Sequence, residues 1–173
     1  MEYTFLTLEK DTFLGPYSMA SPFRNNIAIV NAKNQTHIID KNGIVKKTLS
    51  ITGRIKSAYI DENMVIHIKR RSTYHMLDTH GISIYRGKKK TQYQGNGLYV
   101  LFQNGKEYIY NHNVKKHFSH SSWDDIKSYS EGHFVVKNNR LFGFTDSKGR
   151  FYLEPKYTSI SVERRGIYRI TYG

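Results

Sequence analysis

The chain has no cysteine, one tryptophan and three prolines in 173 residues. Without cysteine there is no disulfide and no thiolate metal site, and a reducing compartment, the cytoplasm, is the expected setting. No apolar run approaches the ~18 residues of a membrane-spanning helix. The opening MEYTFLTLEKD has no basic stretch followed by an apolar run, so no secretory signal is expected. Acidic residues are scarce, 14 against 27 Lys and Arg, which leaves a formal charge of +13. Such an excess favours partners with negative charge: nucleic acid, an acidic protein or an anionic surface. Several catalytic signatures are also missing. No serine sits in a Gly-x-Ser-x-Gly elbow, and no carboxylate pair stands apart from turn positions. The run GKKKT lacks the first glycine of a phosphate-binding loop.

Aromatic residues are abundant, with fourteen tyrosines and nine phenylalanines. Each buries a large area, and tyrosine keeps a polar tip for the surface. That composition suits many short strands over thin cores and excludes disorder.

One pattern recurs along the chain. The segments QTHIIDKNGIV, TYHMLDTHGIS, KEYIYNHNVKK and LFGFTDSKGRF each read as strand, turn, strand. Their turns are Asp40 with Gly43, Asp78 with Gly81, Asn111 with Val114, and Asp146 with Gly149. Asp caps nearby N–H groups, and Gly accepts the left-handed backbone of a tight tip. The turn residues lie 38, 33 and 35 positions apart (78 − 40, 111 − 78, 146 − 111). Ten residues before each turn stands Val30, Ile68, Leu101 or Val136, and two earlier Ala28, Ile66, Tyr99 or Phe134. This period of two marks a strand with one buried face. Tyr168 and Ile170 repeat it a fifth time. Each unit is thus expected to hold three strands: this one (a), a second with Ile38, Met76, Ile109 or Phe144 inward (b), and a third after the turn (c).

Residues 161–173 supply a strand a, and residues 3–17 read as strands b and c. Leu14-Gly15-Pro16 echoes Leu153-Glu154-Pro155. Pairing the two ends would complete a fifth unit and leave no open sheet edge. The expectation is a single all-β repeat domain over 1–173, a small five-bladed β-propeller-like ring. Its units are 1–20 plus 161–173, 21–59, 60–94, 95–127 and 128–160. An open β-solenoid, or completion by a neighbouring chain, is the alternative.

The stretch 129–160 resembles the WG-type (tryptophan–glycine) β-repeat of bacterial proteins. The matching residues are Glu131-Gly132, the aromatic–glycine pair Phe142-Gly143, the Asp146-x-x-Gly149 turn, and Pro155 with Tyr157. Phe stands where that family usually has Trp, and His37, His75 and Tyr108 fall at the places of Gly143. The resemblance implies repetitive β architecture and an interaction module with no catalytic residues.

Basic residues recur at the a–b hairpin tips: Lys33; Lys69, Arg70 and Arg71; Lys106; Lys137 and Arg140. In a ring they would share one face. Arg86, Lys88, Lys89 and Lys90 form a second cluster, with Tyr74, Tyr85 and Tyr93 near enough in sequence to stack on bases. His112, His117, His120 and Asp124 are dense in sequence but match no standard ligand spacing, so no metal or cofactor is expected. Trp123 is expected to pack between neighbouring units. The reading is a non-catalytic module for protein–protein interaction or assembly, as a homo- or hetero-oligomer, with nucleic-acid or polyanion binding through the basic tips as the alternative. An Asn-, Lys- and Tyr-rich chain with decayed repeats suits a phage or mobile-element protein, which would place it in a virion.

Overall fold

The computed structural model describes residues 2–7, 12–118, 123–130, 132–164 and 166–172. Leu8, His120 and Glu131 lie outside the described residues. Every described element is a β-strand, and no helix is long and apolar enough to cross a membrane. The chain divides into two compact units, 1–89 and 90–173.

The first unit begins with an antiparallel pair, β1 (Tyr3–Thr7) and β2 (Thr12–Tyr17). A four-stranded sheet follows: β3 (Met19–Ala20), β4 (Ile27–Ala32), β5 (Gln35–Asp40) and β6 (Val45–Thr52). The next sheet is β7 (Ser57–Ile60), β8 (Ile66–Arg70), β9 (Thr73–Leu77) and β10 (Ser83–Gly87). The second unit holds β11 (Gln92–Gly95), β12 (Leu98–Gln103), β13 (Lys106–Asn111) and β14 (Lys116–Phe118). It continues with β15 (Asp125–Ser130), β16 (His133–Asn138), β17 (Leu141–Asp146) and β18 (Phe151–Tyr157). A pair, β19 (Ser159–Arg164) and β20 (Ile167–Thr171), completes it.

Strands a and b fall where the turn spacing puts them. The sheets nevertheless have four strands, because a short strand precedes each strand a. These leading strands read SAYI, QYQG or DIKSYS and contain no sustained apolar alternation. The last copy likewise has β19 paired to β20 instead of strand a alone.

A second correction concerns burial. In the four-stranded sheets strand a is buried on both faces, not one: Ala28, Ile29, Val30 and Asn31 are all closed to solvent, as are Leu98 to Leu101, whereas the fifth copy, β20, is largely exposed. The cause is face-to-face stacking of successive sheets. In the first unit Ile29, Ile38 and Leu49 meet Ile60, Ile66, Ile68 and Leu77. Ala28, Val30 and Ile39, on the opposite face, meet Phe5 and Tyr17 of the β1–β2 pair. In the second unit Leu98, Val100 and Ile109 meet Trp123, Phe134 and Val136. Val135 and Tyr157 meet Ile160 and Tyr168 of the β19–β20 pair. Each fully buried Ile or Val contributes about 1.5–3 kcal/mol by leaving water.

The Asp turns lock each b–c connection. Asp146 Oδ1 accepts from the N–H groups of Lys148 (2.8 Å) and Arg150 (2.9 Å), and its Oδ2 accepts from Arg150 Nε at 2.7 Å. Asp40 and Asp78 each accept two N–H groups in the same way. In the third copy Asn111 accepts from Asn113 N–H, and the left-handed residue is Lys115 (φ 49°) instead of a glycine. Asp61, between β7 and β8, makes the same clamp unannounced by any repeat, and its Oδ2 lies 2.8 Å from His67 Nε2.

The turn glycines also touch the preceding sheet or pair. A Cβ on Gly81 would come within 2.7 Å of Leu49 in β6, and one on Gly149 within 3.6 Å of Phe118 in β14. A Cβ on Gly43 would come within 2.8 Å of Leu14 in β2. Leu14 therefore stands where Leu49 and Phe118 stand, which gives β2 the role of a fourth strand and β1 that of a third. The Gly143 of the aromatic–glycine pair has a separate reason: a Cβ there would meet the Leu153 carbonyl oxygen at 2.7 Å.

Candidate functional site

In the first unit the chain comes repeatedly to one end of its sheets. Lys33 and Asn34 form the two-residue tip between β4 and β5, and the Asn34 carbonyl accepts from Gly53 N–H at 2.6 Å. Asn31, buried behind this tip, donates to Gly53 O (3.1 Å) and Thr36 Oγ1 (3.2 Å) and accepts from Ser18 Oγ at 2.7 Å. The 53–56 connection then crosses to the next sheet, where Lys56 N–H donates to Lys69 O at 2.8 Å. Arg70 ends β8, with an Nη 3.1 Å from where a Cβ on Gly53 would sit. Arg71 and Ser72 make the tip to β9, since Arg70 pairs with Thr73. Strand β10 returns to the same end: Arg86 pairs with His75 and Gly87 with Tyr74. Lys88 and Lys89 follow, anchored where Tyr85 Oη donates to Lys89 O at 2.9 Å.

The hairpin tips and the 86–89 cluster, separate in sequence, thus meet at one end. The structure adds Arg54 and Lys56, which no repeated position marks in the sequence. They occupy the connection between β6 and β7, and nothing marked β7 as a strand that starts at this end. Nine cations result: Lys33, Arg54, Lys56, Lys69, Arg70 and Arg71, joined by Arg86, Lys88 and Lys89. Among the described residues of this unit, Glu2 beside β1 is the one carboxylate at that end. Asp40, Asp61, Glu62 and Asp78 are all in turns at the opposite end. Lys90 opens the second unit.

Electrostatics report the crowding. Burial pushes the His75 imidazole below its ordinary range, and the charges of Arg86 and Arg70 push it further. Lys69 Nζ stands 5.0 Å from the centre of the Tyr74 ring, so this tyrosine is already engaged by a cation.

The second unit differs. Lys106, Lys137 and Arg140 do sit at hairpin ends, but carboxylates sit among them. Asp124 Oδ2 accepts from Asn139 N–H at 2.9 Å, and Glu107 Oε2 from Ile126 N–H at 2.6 Å. Asp125 pairs with Lys127. Asp124, Asp125, Lys137, Asn139 and Arg140 line a cleft of about 560 Å³. Burial raises the Asp125 carboxyl, yet bonds from Lys127 and Glu107 outweigh it and hold it below the usual carboxylate range. In sequence Asp124 stands out only beside His112, His117 and His120, and Glu107 and Asp125 carry no mark.

Tyr93 is 41% exposed, whereas Tyr85 is buried. Trp123 is 1% exposed and meets Phe151 edge-on at 6.2 Å, so it is a core residue between two sheets. His112 and His117 flank Tyr110, and among the described residues no three His, Asp or Glu side chains converge.

No protein-family model and no curated protein matches the sequence. Among solved structures the chain is similar to Hsv2 of Kluyveromyces marxianus, at 13% identity and a TM-score of 0.43, over 81% of this chain and 52% of that one. It is similar to the N-terminal domain of Nup159 at 7% identity and TM-score 0.35, over 82% and 44%. A protein of unknown function from Bacteroides caccae gives 9% identity and TM-score 0.36, over 83% and 65%. The chain spans about half the length of the first two. The fold rests here on strand order and packing within this chain.

Proposed function

We propose that this chain is a non-catalytic β-repeat binding and assembly module of the WG type, and that it takes an acidic macromolecular partner at the basic end of its first unit. The observation that supports this most is the segregation of charge: nine cations against one carboxylate at one end, and the turn carboxylates at the other. Surfaces that only need solubility intersperse both signs. The test separates position from net charge. Lys69→Glu with Arg71→Glu, and Lys41→Glu with Lys47→Glu, change net charge equally. On a heparin column the first variant is expected to elute at clearly lower salt than the second. Equal elution would show that only total charge matters and would remove the proposed binding end.

The same reading includes closure into a five-bladed ring. Four sheets have four strands, while β1–β2 and β19–β20 have two each. By the packing of Leu14, the first pair plays third and fourth strand; by sequence order and register, the second plays first and second. In the second unit a cleft of about 410 Å³, lined by Phe144, Tyr152, Leu153, Tyr168 and Ile170, lies beside β20 over β17 and β18. A third and fourth strand would cover those residues. Because the chain lacks cysteine, engineered pairs are clean probes. Arg169→Cys combined in turn with Cys at 3, 4 and 5 is expected to give a disulfide within one chain. A disulfide only between chains assigns completion to a neighbouring copy, and none in any combination ends the closure proposal.

A further inference from the structure

Resting on the reading of the basic end as a binding surface, we infer that its partner is the phosphodiester backbone of a nucleic acid. Three observations on the first unit favour that chemistry.

First, the array is continuous and, apart from Glu2, of one sign among the described residues. The Lys33 tip and the Arg70–Arg71 tip belong to sheets stacked face to face, about 10 Å apart. The 53–56 connection fills the space between them with Arg54 and Lys56. An acidic protein surface carries cations among its carboxylates, which would meet this array with repulsion. A phosphodiester chain carries one charge at every residue and no cation, so it can follow the whole array. Four of the nine are arginines, whose planar fork matches phosphate oxygens in pairs.

Second, among the described residues that end offers no exposed aliphatic side chain. Ile44, Val45 and Ile82 are all more than half exposed, but they sit with the Asp40 and Asp78 turns at the opposite end. A lipid surface is gripped by charge together with inserted apolar side chains. The nine-cation end lacks those apolar side chains, and at the other end they share the surface with Lys41, Lys46 and Lys47 and with the carboxylates of the Asp40 and Asp78 turns.

Third, two cations hold backbone positions that other residues fill at lower cost. Lys33 (φ 47°) and Arg71 (φ 52°) are left-handed. Asn or Gly is favoured at such hairpin positions, and the 25–26 turn at the opposite end uses Asn twice. Local choices that oppose stability concentrate at functional sites.

With Tyr74 engaged by Lys69, and Tyr3 beside Glu2 the exposed ring at that end among the described residues, the contacts fall mainly on phosphates and not on bases. Binding is therefore largely independent of sequence and strongly dependent on salt, with log K falling by about 0.7–0.9 per phosphate neutralised for each tenfold rise in salt.

The experiment is fluorescence anisotropy of the full chain with a labelled single-stranded RNA, a labelled DNA duplex, and poly-glutamate matched in charge. Tight binding of at least one nucleic acid is expected, with poly-glutamate at least about 10-fold weaker and loss of about 10³-fold or more between 50 and 200 mM salt if six or more phosphates are met. Lys69→Glu with Arg70→Glu and Arg71→Glu should weaken nucleic-acid binding at least about 100-fold, from three lost contacts. Arg54→Gln with Lys56→Gln, at exposed positions, supplies an independent loss of about 10-fold should the triple variant fail to fold. Poly-glutamate bound as tightly as nucleic acid would overturn this inference and leave the binding end standing. Failure of all three probes to bind would overturn both. Nucleic-acid binding unchanged in a folded variant would place the contact elsewhere and overturn the assignment.

Discussion

Trp123→Ala is expected to destabilise residues 90–173 by about 3–5 kcal/mol, the range for emptying a buried large aromatic site. The ring is 1% exposed and sits among Leu98, Val100, Ile109, Phe134 and Val136. It joins the β11–β14 sheet to the β15–β18 sheet, and it lies 3.5 Å from where a Cβ on Gly149 would point. Collapse around the void is hindered because the neighbouring strands are fixed by their own ladders. Urea unfolding followed by far-ultraviolet circular dichroism measures the loss. Trp123→Phe, which keeps most of the volume, should recover much of it. Since this is the sole tryptophan, its emission, expected to be blue-shifted while the ring is buried, should report the unfolding of the parent protein independently. A midpoint shift equivalent to less than about 1 kcal/mol would mean that the two sheets do not depend on this contact.

The second large effect concerns Asp146. It is 7% exposed and satisfies two backbone N–H groups and the Arg150 guanidinium. Asp146→Ala strands those donors and should cost about 2–3 kcal/mol. Burial by itself would raise this carboxyl. The bonds from the Arg150 N–H, the Arg150 side chain and the Lys148 N–H outweigh burial and hold it below the usual carboxylate range. The folded value is therefore lower than the unfolded one, near 3.9. Its stabilisation is complete above that unfolded value and disappears as pH falls through the folded one. Asp146→Asn keeps the oxygen that accepts the two N–H groups but cannot titrate. It should be less stable than the parent at pH 7, and the gap should close below about pH 4. A gap that stays constant from pH 7 to 3 would contradict this account.

Both residues stand out in the sequence, for different reasons. Asp146 belongs to a recurring Asp-x-x-Gly turn, and turn chemistry is local: one side chain caps its own next few N–H groups. The strands flanking those turns were legible on the same ground. The leading strands were not. SAYI and QYQG form their bonds because a neighbouring strand presents a ladder, a tertiary cause that four residues cannot advertise. That omission also concealed the route of the 53–56 connection, and with it Arg54 and Lys56. Burial of strand a on both faces was hidden similarly, since a buried Asn31 and a half-buried Lys69 break the apolar run. At the candidate site the sequence supplied the cations but not their company. Glu107, Asp124 and Asp125 neutralise the tips of the second unit through folds in the chain that bring residues 107 and 126 together. Among the described residues of the first unit only Glu2 reaches the end where the cations gather, and the strand directions are what reveal it.

Every ladder among the described residues joins strands that are neighbours along the chain. Loop-closure entropy is therefore small at each step, and each sheet can zip up from its own hairpin before meeting the next. The order of events during folding should then be local registration first and lateral docking of finished layers afterwards. In such a scheme an extra residue in one connection perturbs a single layer, and the others keep their pairing.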